Sequence, residues 1–128
     1  MSVRKLWLGL ALAFVALTLG SYTTARADQL VMFEQAGCPY CAAWNRDVGP
    51  TYSATDEGKH APLRRVDLHA PRPADLQSIK GVIYTPTFVL MHCGSEVARI
   101  TGYSGAELFW ELLDVDMQKL QAEPPCKG

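Results

Sequence analysis

Residues 30–52 read LVMFEQAGCPYCAAWNRDVGPTY, and this stretch decides the fold. Its first four residues form an apolar run that is too short for a helix and fits a buried strand. Gly37 then predicts a turn, and Pro39 suits the first position of a helix, where an N–H would have no partner. Pro50 predicts a kink or an early end, because it lacks a donor and clashes with the preceding turn. Three apolar residues recur every four positions and form one stripe on the helix: Trp44, Val48 and Tyr52.

The rest of the chain alternates predicted strands and helices. Residues 53–62 are polar and contain Gly and Pro, so we expect a loop there. Residues 63–68 alternate apolar and charged side chains and predict a second strand. Residues 71–81 begin at a proline and end near a glycine, which predicts a short helix. Residues 86–91 are rich in β-forming side chains and predict a third strand.

A hairpin and a long helix complete the predicted domain. Residues 93–95 predict a tight turn and residues 97–101 a fourth strand. Ser104 and Glu107 have the spacing of a capping box, which predicts the start of a helix. Its apolar positions are expected on one side: Phe109, Leu112, Leu113, Met117 and Leu120. The order β-α-β-α-β-β-α predicts an α/β fold, a four-stranded mixed sheet flanked by helices.

The first 27 residues have the features of a secretory signal peptide. A basic pair, an uncharged apolar run over residues 6–20 and a small-x-small ending predict cleavage between Ala27 and Asp28. An uncleaved membrane anchor is the alternative, but the run is shorter than the ~20 residues that span a bilayer. We therefore expect a periplasmic domain over residues 28–128, with a short tail from about residue 122.

The charge of the chain disfavours nucleic acid as a partner. The chain has 12 Lys and Arg residues, of which the leader contains three, so nine remain against 13 acidic residues and the net charge is about −4. Outside the leader, Arg64 and Arg65 are the only adjacent basic residues, and we interpret them as a solvated strand end.

Cys38 and Cys41 carry the chemistry that the sequence predicts. Thiol–disulfide exchange needs a thiolate, and a free thiol with a pKa of about 8.5 is mostly protonated at neutral pH. The N–H groups and the positive dipole end of a helix N-terminus lower that pKa. Cys38 is therefore predicted to attack and Cys41, one turn later, to resolve the mixed disulfide. This reaction needs no metal and no organic cofactor.

Two other interpretations of the pair are open. In a metallochaperone the two cysteines would bind metal, but closed zinc sites need four ligands. The histidines of this chain have no matching spacing: His60, His69 and His92. In a redox-inactive binding module the pair would be a static disulfide, although so short a loop constrains the unfolded chain little.

The motifs Cys38-Pro39-Tyr40-Cys41 and Thr85-Pro86-Thr87 resemble those of the thioredoxin superfamily. The resemblance extends over residues 28–122 and implies a cis-proline at Pro86 whose backbone faces the cysteine pair. It implies four residues that contact a substrate polypeptide: Pro39, Tyr40, Thr85 and Pro86. A glutaredoxin-like reductase and a disulfide isomerase are alternatives within the superfamily. An isomerase would need an oligomer or a second domain, and we expect a monomer.

Three segments resemble more narrowly the periplasmic thioredoxin-like SoxS proteins of bacterial sulfur-oxidation clusters: residues 33–47, 61–67 and 100–103. This resemblance implies a protein-disulfide reductase that keeps the sulfur-oxidation carrier protein SoxYZ active. It also implies a membrane thiol transporter of the CcdA/DsbD type as the electron donor.

One departure from the superfamily concerns proton transfer. Thioredoxins carry a buried Asp on the strand before the cysteine motif, and Met32 occupies that position here. Glu34 lies on the same side of the strand, because side chains alternate, and is a candidate for proton handling. A surface carboxylate at the strand end is the other interpretation of Glu34.

Cys93 and Cys126 are predicted to form a structural disulfide. The last helix returns antiparallel to the fourth strand, and the two elements have similar lengths. The tail therefore ends near the hairpin turn that contains Cys93, at the end of the sheet opposite Cys38. The alternative is two independent thiols, with Cys126 on a disordered tail.

Overall fold

The computed structural model describes residues 27–127, so residues 1–26 of the predicted signal peptide lie outside the described part. Within it, one sheet has the strand order β2-β1-β3-β4. The strands are β1 (Gln29–Glu34), β2 (Leu63–Asp67), β3 (Thr87–His92) and β4 (Ser95–Thr101). β1 is parallel to β2, and β3 is antiparallel to both β1 and β4. The predicted mixed sheet is confirmed.

Residues 27–127 also form four α-helices: α1 (Pro39–Asp47), α2 (Gly49–Tyr52), α3 (Asp56–His60) and α4 (Ala106–Ala122). Val48 ends α1 and joins it to α2, so the predicted interruption before Pro50 is confirmed. None of these helices combines the length and the apolar character that crossing a bilayer requires.

Two predicted elements between β1 and β3 are wrong. Residues 53–62 are not a loop throughout, because α3 forms within them and is capped by Thr55, whose Oγ1 accepts from the Gly58 N–H at 3.0 Å. Residues 71–81 hold only a 3₁₀ turn, Ala74–Leu76, instead of a helix. Leu76 and Ile79 are nevertheless buried, so packing on the sheet holds this segment without a regular helix.

The predicted start and apolar face of the last helix also need correction. Gly105, with φ 111°, is the N-cap of α4, and no side chain caps the helix, so Ser104 does not form the expected capping box. Leu112 is 42% exposed and lies off the buried stripe. The other predicted positions are buried: Phe109, Leu113, Met117 and Leu120.

The two faces of the sheet have separate cores, because side chains alternate along each strand. One face packs against α1 and α4 through Met32, Phe88, Trp44 and Phe109, among others. The opposite face carries a smaller cluster: Val31, Phe33, Val66, Leu76, Ile79, Val89 and Met91. The larger core supports α1, whose N-terminus follows β1 after a short turn.

Candidate functional site

The Cys38–Cys41 disulfide lies at the N-terminus of α1. Gly37, with φ 75°, turns the chain after β1, and Cys38 is the N-cap of the helix. The Cys38 sulfur accepts from the backbone N–H of Cys41 at 3.1 Å, as a serine oxygen would at an N-cap. The two Cα atoms are 5.3 Å apart and the sulfurs are bonded.

Helix electrostatics favour a thiolate at Cys38. The N–H groups of the first turn and the positive end of the dipole face its sulfur. The first turn of α1 contains no acidic residue that would oppose this effect. A cysteine in such a position has a lowered pKa once the disulfide is reduced. Cys38 and Cys41 are both buried, at 8% and 4% exposure, so a partner must approach closely to reach them.

The segment before β3 faces the disulfide. The Thr85–Pro86 peptide bond is cis, and the carbonyl oxygen of Thr85 lies 3.4 Å from the Cys38 sulfur. Thr87 Oγ1 donates to the Tyr84 carbonyl at 2.7 Å, and the Gly102 N–H donates to the Pro86 carbonyl at 2.7 Å. These two hydrogen bonds, one within the segment and one to the residue after β4, fix the segment beside Cys38.

An apolar groove lies at this segment, and one of its lining residues is Thr85, whose carbonyl oxygen contacts the Cys38 sulfur. Tyr40 and Tyr84 line it together with Thr85, Gly102 and Tyr103. Tyr40 and Tyr84 are 61% and 68% exposed, and Ile83 beside them is 73% exposed. Tyr40 and Thr85 were predicted as contact residues from the sequence, whereas Ile83 and Tyr84, an exposed apolar pair before the proline motif, were not.

The candidate proton-handling residue lies on the other side of the disulfide. Glu34 lines a second depression together with Cys38, Cys41 and Asn45. Its carboxylate accepts from Arg65 Nη1 at 2.7 Å. Its side chain is 27% exposed, so it is neither fully buried nor a free surface group.

Arg65 organises this side of the site and was interpreted from the sequence only as a solvated strand end. It donates to Asn45 at 2.7 Å as well as to Glu34, and its guanidinium lies 5.7 Å from the ring centre of Trp44. Met32, fully buried, contacts Arg65 Nη1 through its sulfur at 3.7 Å. The contact follows from the register of β1 and β2, which pairs Met32 with Arg65 and which the sequence alone does not show.

The structure brings Cys93 and Cys126 together as a second disulfide, with their Cα atoms 5.4 Å apart. Cys93 (φ 49°) and Gly94 (φ 80°) form a left-handed two-residue hairpin turn between β3 and β4. The register places this turn beside Gln29, at the start of β1 and so opposite the Cys38 end.

His92 was not linked to these cysteines in the sequence analysis. In residues 27–127, the ligand atoms of His92, Cys93 and Cys126 lie within 4.8 Å of one another, which is the spacing of a metal-binding group. The two sulfurs are bonded to each other, so neither is a thiolate that could bind a metal in this state.

Comparisons with known proteins agree with this architecture. The sequence pattern of the thioredoxin-like domain family matches residues 17–115. The periplasmic thioredoxin SoxS from Paracoccus pantotrophus, in its reduced form, is similar at 42% identity and a TM-score of 0.70, covering 73% of this chain and 98% of SoxS. The thioredoxin Mala s 13 of Malassezia sympodialis is 20% identical, covers 70% of this chain and 75% of its own, and at a TM-score of 0.51 supports the fold alone. No curated protein matches. The family pattern and the identity to SoxS show that this chain belongs to the thioredoxin-like family.

Proposed function

We propose that the chain is a periplasmic thiol–disulfide oxidoreductase that reduces protein disulfides. The observation that supports this proposal most directly is the hydrogen bond from the Cys41 N–H to the Cys38 sulfur at the N-cap of α1. This bond and the helix dipole stabilise negative charge on Cys38 more than on Cys41, which lies further along the helix and is more buried. Cys38 is the attacking residue and Cys41 the resolving residue.

The reaction is a pair of exchanges that balance in electrons. The Cys38 thiolate attacks a client disulfide, forms a mixed disulfide and releases one client thiolate. Cys41 then loses its proton and attacks the Cys38 sulfur, which releases the second client thiolate. The client gains two electrons, and the protein is left with the Cys38–Cys41 bond seen in the structure.

The apolar groove supports a polypeptide client. Tyr40 and Tyr84 offer large exposed rings beside a nearly buried sulfur, and such rings contribute much of the contact energy in interfaces. Pro39, Thr85 and Pro86 complete the contact surface in this proposal. An extended client segment lying in the groove would bring its disulfide to Cys38.

The proposed client and donor rest on the similarity to SoxS. At 42% identity over nearly the whole of that protein, a shared role in sulfur oxidation is the simplest assignment. The client would be the carrier SoxYZ, and a membrane thiol transporter of the CcdA/DsbD type would re-reduce Cys38–Cys41. Export would follow from the signal peptide that residues 1–27 predict.

Insulin reduction with dithiothreitol tests the proposed reaction. We expect Cys38→Ser to lose the acceleration of insulin reduction, because Cys41 is the resolving residue and cannot replace Cys38 as the attacking one. Cys41→Ser is expected to attack and then stop, so the mixed disulfide with the client accumulates and is visible by mass spectrometry. Wild-type activity in Cys38→Ser would refute the proposal, and so would trapping of the client on Cys41 in that variant.

A further inference from the structure

His92, at the end of β3, is held by two acceptors. Its Nδ1 lies 2.6 Å from Asp28 Oδ1, and its Nε2 lies 2.8 Å from the carbonyl oxygen of Pro124. Carboxylate and carbonyl oxygens only accept hydrogen bonds, so both ring nitrogens must donate, which a neutral imidazole cannot do. The Pro124 carbonyl and then Asp28 accordingly raise the pKa of His92. The contacts hold His92 as an imidazolium.

The same ring nitrogen that bonds Pro124 also faces a sulfur. Nε2 of His92 lies 3.9 Å from Cys126 Sγ, whereas Cys93 follows His92 directly in the hairpin turn. Cys126, His92 and Asp28 therefore stand in the order thiol, imidazolium and orienting carboxylate. In such an arrangement the imidazolium stabilises the thiolate of the neighbouring cysteine and lowers its pKa.

We propose that Cys93–Cys126 is a second exchange-active disulfide, in which His92, oriented by Asp28, stabilises Cys126 as the leaving thiolate. Its reaction partners are dithiols. The site is independent of the proposed function, because the sheet separates it from Cys38. Both of its cysteines are partly exposed, and residues 123–127, which follow α4, have no regular structure that would cover them. From the sequence we predicted a structural disulfide that takes no part in exchange, and the contact of Cys126 with His92 is the reason to revise that prediction.

The exchange balances as two steps. A thiolate of the dithiol attacks Cys93 Sγ, the Cys93–Cys126 bond breaks, and its electron pair remains on Cys126 beside the positively charged ring of His92. The second thiol of the partner is then deprotonated and attacks the partner's first sulfur, which is bonded to Cys93 in the mixed disulfide. Cys93 is released and takes a proton from water. The partner leaves as a disulfide, and the protein has gained two electrons.

The first test isolates this disulfide in a Cys38→Ser/Cys41→Ser chain, equilibrated in dithiothreitol buffers without denaturant and analysed by alkylation and mass spectrometry. We expect reduction in the native state, and an equilibrium constant for reduction that falls about tenfold, equivalent to about 30 mV, when His92→Phe is added. His60→Phe is the matched control, because His60 contacts the other oxygen of Asp28 at 3.1 Å. That variant should change the constant less than about twofold.

The second test keeps His92 and so does not depend on the folding of a variant. In the reduced chain, iodoacetamide should label Cys126 at a pH at least about one unit lower than Cys93, since a thiolate beside a histidinium has a lowered pKa. The titratable groups that face His92 are Asp28 before β1, Glu123 after α4 and, across Asp28, His60. Reduction only in denaturant, equal constants for the two Phe variants, or the same labelling pH for both cysteines would each overturn the proposal.

Discussion

At the scale of the residue, the redox site depends on where a few side chains sit relative to a helix terminus. The position of Cys38 and Cys41 at a helix N-terminus could be predicted from the sequence, because the turn at Gly37 and the proline after Cys38 fix the start of α1. The role of Arg65 could not, because it follows from the pairing of β2 with β1. That pairing places a cation beside Met32, where the superfamily has a carboxylate, and holds Glu34 near Cys41.

Glu34→Gln tests the proton-handling assignment. If Glu34 accepts the proton of Cys41, the variant should resolve mixed disulfides about tenfold more slowly, less than the ~100-fold of an enclosed proton-transfer group because water reaches the site. Quenched-flow trapping of the insulin mixed disulfide measures this step. Glu96→Gln is the control, since Glu96 forms a similar ion pair with Arg99 at 2.7 Å on β4. Equal resolution rates in the two variants would assign Glu34 to the surface ion pair alone.

The raised pKa of His92 predicts a pH-dependent contribution to stability. The folded state binds this proton more tightly than the unfolded state, whose histidines titrate near pH ~6.5. The loss of stability in His92→Asn should therefore be greatest below about pH 6.5 and should decrease as the pH rises through the folded pKa. Urea unfolding at several values between about pH 5 and pH 9 measures the difference. A loss of stability that stays constant over this pH range would contradict the prediction.

At the scale of the element, apolar periodicity predicted what packs on the sheet but not short helices. α1 and α4 have buried stripes that are visible in the sequence, whereas α3 is five residues long and contains a glycine. Its existence follows from tertiary contacts. The Gly58 backbone lies against the end of α2, and the Tyr52 hydroxyl donates to the Ala61 carbonyl at 2.8 Å.

Gly58→Ala tests that close approach. A Cβ at this position would lie 1.9 Å from the Tyr52 carbonyl oxygen, so the backbone must shift. We expect a loss of about 1–3 kcal/mol in the free energy of unfolding, as for other overpacked sites. In an open helix the same substitution would stabilise the protein by up to ~1 kcal/mol. The sign of the change in unfolding free energy therefore decides whether Gly58 lies against Tyr52. Lys59→Ala, on the exposed side of α3, should change the unfolding free energy by less than about 0.5 kcal/mol.

At the scale of the whole molecule, the order of strands and helices was sufficient to predict the mixed sheet. The return of α4 along β4 also placed Cys126 near Cys93, at the end of the sheet opposite the redox site. The chain order could not reveal what lies around that disulfide. Asp28, His60 and His92 are distant in sequence and meet only because the start of β1, the end of α3 and the hairpin turn share one end of the sheet.

Removing the second disulfide should destabilise the whole domain. It closes a loop of 33 residues, and the chain-entropy model gives a loss of about 3.7 kcal/mol for Cys93→Ser/Cys126→Ser. Urea unfolding at neutral pH measures this loss, which acts through the unfolded chain and is compatible with an exchange-active bond in the folded one. An unfolding free energy equal to that of wild type would show that the bond does not constrain the unfolded state. Insulin reduction by the folded variant should be unchanged.

The central claim is that Cys38–Cys41 works as a reductant of protein disulfides. Its most direct test is the reduction potential of this couple, measured in Cys93→Ser/Cys126→Ser by equilibration with dithiothreitol buffers. We expect a value of about −270 mV, which is that of thioredoxin. A value of about −120 mV, that of a strong oxidant, would contradict the claim.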